Sequence, residues 1–225
     1  MIESVKVQSF IKQLGQYDAA ILNFKTKYNY LPGDSPFHSP AGDGDGKVET
    51  TGTNSGAVVH TALTFDYETA NFWIHLQQDG FLADKYPTFS TDASSGIRTG
   101  INIPEFIGDR DNTGIHIYLN YSLRNNPWYL IGYYDSTTGP RHDNAGGIQG
   151  ALKASTAFAI DTKIDDGIAR TSSVASYAGY IFSSMNSSCY DTSGGSPYSY
   201  DLSDDDVKCT LAIIIGRAAT NNKID

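Results

Sequence analysis

The side chains best suited to chemistry in this chain are carboxylates on glycine-rich stretches. Asp43, Asp45 and Glu49 form an Asp-x-Asp-Gly-x-x-Glu series around Gly42, Gly44 and Gly46. Oxygen ligands at alternate positions of a bendable loop are what calcium requires. The series departs from an EF-hand loop, because Lys47 stands at the fifth position and Asn54 at the twelfth. Two readings stay open: calcium held by Asp43, Asp45 and Glu49, or a plain acidic turn. Asp204, Asp205 and Asp206 make a second acidic run with the same two readings. Asp161, Asp165 and Asp166 gather at the end of a predicted helix, where negative charge opposes the helix dipole. Helix propensity offers no reason for that third group.

Other chemistry is thinly represented. The sequence contains no Gly-x-Ser-x-Gly elbow, no His-Glu-x-x-His and no phosphate loop ending in Gly-Lys-Ser or Gly-Lys-Thr. Ser9-Phe10-Ile11-Lys12 matches Ser-x-x-Lys by chance, since its partner motifs are missing. His38, His60, His75, His116 and His142 have no spacing that suits a shared metal. His75 reads as a packed or half-exposed side chain. The expectation is a protein that is not an enzyme and needs no cofactor; any metal bound would be calcium.

These residues need elements to hold them. Val7, Phe10, Leu14, Tyr17, Ile21, Phe24 and Tyr28 recur in steps of three and four, an apolar stripe along one long helix. Ile11 and Leu22 widen it. The helix stops at Asn29-Tyr30-Leu31-Pro32-Gly33-Asp34. A glycine-rich loop follows, then a helix over 66–82. Residues 114–121 alternate with period two and 128–134 form a second strand, so an antiparallel hairpin turns at Asn125-Asn126-Pro127. A third helix is predicted over 148–164, and a final strand from Val207 to Ile215. Helices and antiparallel strands in separate stretches give an α+β class. One domain spans 1–225: a helical spine at 1–30, a variable region at 31–113, and a sheet with its C-terminal loop at 114–216.

The net charge is −9 over 225 residues. An acidic surface repels phosphate backbones, so nucleic acid is not an expected partner. No apolar run reaches bilayer length, and Ile2-Glu3-Ser4-Val5-Lys6 lacks the apolar core of a signal peptide, so the chain as given reads as soluble. Cys189 and Cys209 leave two states open, a disulfide of an exported protein or two buried thiols.

Several segments, in order, resemble type IV pilin-like proteins and pseudopilins. They are the N-terminal helix running into Tyr28-Asn29-Tyr30-Leu31-Pro32-Gly33-Asp34, the Gly-Asp-Gly-Asp-Gly at 42–46, Phe72-Trp73-Ile74-His75-Leu76, and Asp161-Thr162-Lys163-Ile164-Asp165-Asp166-Gly167. Ala169 and Ser172 stand where one subgroup usually has Pro and Gly. The apolar first half of the helix that such proteins carry is not in this sequence, so the resemblance implies a chain trimmed to its soluble half. That half would pack its long helix on an antiparallel sheet and close a C-terminal loop with a disulfide. The loop between the two cysteines, Tyr190 to Lys208, is poor in aliphatic residues and cannot hold itself, which fits a Cys189–Cys209 bond. The implied function is structural. The chain would be a subunit of a bacterial type IV pilus or type II secretion filament, assembling through the helix that carries Val7 to Tyr28. Its partners would be other subunits and, through a missing N-terminal segment, the inner membrane. It would lie on the cell surface or in the periplasm. The alternative is a minor tip pilin or adhesin that binds a surface, glycan or secreted protein, with calcium dependence left open.

Overall fold

The structure, a computed structural model, describes residues 2–49, 65, 67–82, 89–91, 97–119, 127–134, 149–169, 174–178, 189–191, 198–203 and 205–216. The first helix, α1, runs from Ile2 to Tyr28, about 40 Å at 1.5 Å per residue. Asn29 ends it in the left-handed region with φ 60° and donates its N–H to the Lys25 carbonyl, a capping geometry that Asn tolerates.

Val7, Phe10, Leu14, Tyr17, Ile21 and Phe24 are all buried, and Tyr28 is half-buried. Val7 and Phe10, near the helix start, are covered, with the Phe10 ring edge-on to Phe106 at 4.5 Å. Leu22 does not widen the stripe. It is 64 % exposed, because one residue of helix rotates about 100° away from Ile21. Farther along, Tyr17 meets Trp73 and Phe24 meets Phe81, so the stripe rests partly on the second helix and its exit. The helix shares one apolar core with the sheet and is also tied to it by polar contacts. The buried Asp18 carboxylate accepts the Tyr129 hydroxyl at 2.9 Å and the Gly216 N–H at 2.8 Å.

The second helix, α2, spans Tyr67–Gln78, and every residue from Glu68 to Leu76 is buried. The sheet is antiparallel. β1 (Thr113–Leu119) pairs with β2 (Pro127–Tyr133) in the register Ile115↔Ile131. The predicted turn residues Asn125 and Asn126 lie outside the described residues, and Pro127 opens β2. The long strand β7 (Val207–Ile214) lies against β2 with Leu130↔Ala212. It also pairs with β3 (Leu152–Lys153) and with β4 (Val174–Ala178). A two-residue pair, β5 (Tyr190–Asp191) and β6 (Ser199–Tyr200), stands apart. The fold is thus α+β, with an N-terminal helix and an antiparallel sheet.

One expectation is corrected, and one strand, β1, is more deeply buried than its alternation suggests. Thr113 to Ile117 are all buried, including His116 between Phe65 and Tyr134. The third helix, α3, spans Ala154–Ile164 and does not start near 148. Ile148 lies outside the described residues, and 149–153 are extended. Gly150 abuts the Lys208 backbone so closely that a Cβ would sit 2.1 Å from a carbonyl carbon, and Ala151 donates its N–H to the Cys209 carbonyl. Pairing with β7 takes the residues that the apolar pattern assigns to the helix. The Asp109 carboxylate then accepts the Lys153 N–H at the helix start.

A disulfide joins Cys189 to Cys209 with Cα atoms 5.1 Å apart, and both residues are buried. It links the β5–β6 pair to the central strand.

Gly15 lies inside α1, and a Cβ there would meet nothing within 4 Å. Gly15→Ala is expected to stabilise the protein by about 1 kcal/mol in denaturant unfolding. Replacing both cysteines by Ala should cost about 3 kcal/mol, the loop-closure entropy of the 20-residue separation. Unfolding midpoints indistinguishable from wild type would count against either account.

Candidate functional site

The loop from Asn29 to Glu49 is held against α2 by two side chains on one face of that helix, Glu68 and His75, seven residues apart. The His75 Nδ1 accepts the Gly33 N–H at 2.9 Å, and its Nε2–H donates to the Pro40 carbonyl at 2.7 Å. Both roles require the neutral ring. Burial lowers its pKa from 6.5 to about 4. The Glu68 Oε1 accepts the Asp43 N–H and Oε2 the Glu49 N–H, each at 2.9 Å. In return the Glu49 carbonyl accepts the N–H groups of Glu68 and Thr69, which satisfies the first turn of α2. Burial pushes the Glu68 carboxyl up to about 8, against the pull of those two backbone donors. Gly33 has φ 89°, and a Cβ there would lie 2.3 Å from the Glu68 carbonyl oxygen, so only glycine lets the loop approach this closely.

Within this frame three carboxylates converge. Asp34, Asp43 and Asp45 each place one oxygen within 4.8 Å of the others. Asp34 is 0 % exposed. Its Oδ2 accepts the Gly46 N–H at 3.2 Å, and its Oδ1 has no hydrogen-bond partner. Burial raises its pKa, and the charges of Asp45 and Asp43 add to the rise. The Asp43 Oδ1 accepts the Asp45 N–H, and the Asp45 Oδ1 accepts the Lys47 N–H. Lys47 reaches back to Asp45 at 2.7 Å and to Glu49 at 3.8 Å.

The predicted ligands are therefore divided. Asp43 and Asp45 come together, whereas Glu49 is not in the converging group. Its main chain serves α2, and its carboxyl faces Lys47. Asp34 takes the third place. In the sequence Asp34 marks only the end of α1. The signal that would have found it is an acidic residue directly after a Pro-Gly turn, on the same loop as Gly42 to Gly46. Asp204 lies outside the described residues. Asp205 and Asp206 are exposed and pair with Lys153 and Lys208.

The third acidic group also converges, with one oxygen each of Asp161, Asp165 and Asp166 within 4.8 Å of the others and the Asp161 Oδ1 without a partner among the described residues, and part of it has a structural account. Asp161 is fully buried, and its Oδ2 accepts the Tyr200 hydroxyl at 2.7 Å, which fastens β6 to α3. Burial raises its carboxyl to about 7. Asp166 accepts the Ile168 N–H and shapes the chain after the helix.

Two histidines stack beside the acidic loop, with His38 and His75 ring centres 4.8 Å apart. His75 is fully buried, beyond the packed or half-exposed expectation. The His38 Nδ1 lies 2.8 Å from the Ser35 Oγ and its Nε2 2.9 Å from the Asp79 Oδ2. This has the connectivity of a serine–histidine–aspartate relay. Ser35 is buried, however, and its oxygen also receives the Phe37 N–H. The relay ties the loop to the end of α2. Burial alone would raise Asp79, yet hydrogen bonds from Tyr28 and His38 hold its carboxyl below the usual range. Ser9 and Lys12 lie on α1, with Lys12 exposed. His60 and His142 lie outside the described residues.

No family model, no curated protein and no solved structure matches the chain.

Because folding depresses the proton affinity of His75, acid favours the unfolded state. Its contribution is complete above pH 6.5 and is lost as the pH falls through about 4. His116, held near 3 by burial, adds a slope of the same sign, while Glu68 and Asp161 oppose it. The measurement is therefore a difference. His75→Gln keeps an acceptor for Gly33 and a donor for Pro40, and its unfolding free energy should fall less than that of wild type between pH 6.5 and 4. Parallel profiles would show that His75 does not titrate as described.

Proposed function

We propose that the chain is the globular part of a type IV pilin-like subunit, a pilin or pseudopilin that assembles into a bacterial surface filament or a type II secretion filament through α1. The observation that carries this reading is the outer face of that helix. The inner stripe is spent on the protein's own core. The exposed positions Val5, Gln8, Lys12, Gln16, Ala19 and Leu22 follow one another along the opposite side in steps of three and four. No carboxylate stands among them, although the chain carries 25 acidic residues. A long, weakly charged helical face on an acidic protein suits packing against the same helix of neighbouring copies, where like charges would repel. The order of pilin-like segments and a buried disulfide near the C-terminus agree with this reading.

Assembly is testable in cells that make the protein from its natural gene. It should be recovered with sheared surface filaments or with a periplasmic secretion filament. Ala19→Glu with Leu22→Glu should reduce that recovery about tenfold or more, as like charges enter the interface. The melting temperature should hold, since both side chains are exposed. A protein confined to the cytosol, or full assembly of the double variant, would overturn the proposal.

A further inference from the structure

We propose that the Asp34, Asp43 and Asp45 carboxylates form a calcium site that locks the 33–49 loop onto α2. Two independent observations point there. The first is convergence: three carboxylate oxygens lie within 4.8 Å of one another. Oxygens so placed reach a common centre at calcium–oxygen distances of about 2.3–2.6 Å after small shifts. The second is Asp34 itself. It is fully buried beside the other two, and its Oδ1 has no donor. A carboxylate oxygen taken out of water and given no partner is costly, and a cation is the partner that removes the cost.

The charge balance of the loop supports the same conclusion. Asp34, Asp43, Asp45, Glu49 and Glu68 face one another across this segment, and Lys47 is the single lysine or arginine between residues 33 and 49. Lys47 lies on the Asp45 Oδ2 and near Glu49, so one monovalent charge answers Asp34, Asp43, Asp45 and Glu49. A second Glu49 oxygen, Oε2, is also buried without a donor. Glu49 stands at the edge of the site and can turn toward a cation that displaces Lys47.

The donor chemistry selects the ion. Every group is a hard oxygen. The nearby imidazoles are not available, since His75 is bonded at both nitrogens and His38 contacts Ser35 and Asp79. The disulfide takes both cysteines. Calcium accepts a loop with irregular geometry and mono- or bidentate carboxylates, whereas magnesium demands a near-ideal octahedron. The Glu68 side chain already fixes the Asp43 and Glu49 backbones, so the ligands are held in place before the ion arrives and the ion reinforces a loop already seated on α2.

The test uses the purified chain, dialysed against chelator, and does not depend on filament assembly. Calorimetric titration with calcium chloride should show binding that depends on Asp34, Asp43 and Asp45, and the melting temperature should rise with calcium concentration as binding to the folded state requires. Magnesium at equal concentration should raise it less. Asp43→Asn should weaken calcium binding by about tenfold or more. Asp34→Asn should do the same, and Asp43 supplies the decisive variant if the buried change impairs folding. Asp165→Asn with Asp166→Asn, at the end of α3, should leave binding unchanged. No heat and identical melts in calcium and chelator would overturn the site. So would calcium binding that survives Asp43→Asn with Asp45→Asn, binding abolished by the Asp165/Asp166 double variant, or an equal response to magnesium.

Discussion

Two polar side chains on a helix that is buried all round, Glu68 and His75, hold the arrangement that the rest of the molecule depends on. Each receives a backbone N–H of the loop that leaves α1, and together they answer Gly33, Asp43 and Glu49 and engage the Pro40 carbonyl. Buried backbone groups without partners cost free energy comparable to a lost hydrogen bond. A loop with so many glycines has no secondary structure of its own to satisfy them. Once seated, the loop caps the first turn of α2 through the Glu49 carbonyl, drops Val48 into the core and brings Asp34 beside Asp43 and Asp45. Clamp and acidic cluster are thus one construction.

The same device recurs elsewhere. Asp18 collects a hydroxyl from β2 and an N–H beyond β7, Asp109 collects Lys6 and the start of α3, and Asp161 collects Tyr200. Each carboxylate ties elements far apart in sequence through donors from outside its own element, although the Asp161 Oδ1 is buried without a partner among the described residues. Part of the acidity of this chain is therefore internal architecture. α1 benefits from this architecture. Its inner face is anchored by aromatic contacts and Asp18, and the described exposed positions Val5, Gln8, Lys12, Gln16, Ala19 and Leu22 carry no negative charge, the property on which the filament proposal rests.

Much of this architecture was legible in residue order. The period of three and four from Val7 to Tyr28 marks α1 and its buried side, because a helix repeats every 3.6 residues whatever surrounds it. The β-branched run at 207–215 marks the central strand, and Asn29 with Pro32 and Gly33 marks the helix exit. Those signals are local, and local geometry is sufficient to produce them. The acidic spacing at 43 and 45 likewise identified two of the three converging carboxylates.

Tertiary structure decided what depends on residues far apart. The apolar run before Ala154 reads as helix, but it becomes strand because β7 offers it a backbone edge. His116 looks like the polar side of an alternating strand until Phe65 and Tyr134 cover it. Asp34 and Glu68 reach Asp43 only when the loop folds back on α2, nine and twenty-five residues apart along the chain. Leu22 belongs to the stripe by type and to solvent by rotation. Sequence determined the elements, since periodicity and turn chemistry act over a few residues. Which carboxylates meet, and which face of α1 stays open, was settled by packing, since burial and hydrogen bonding are properties of the whole chain.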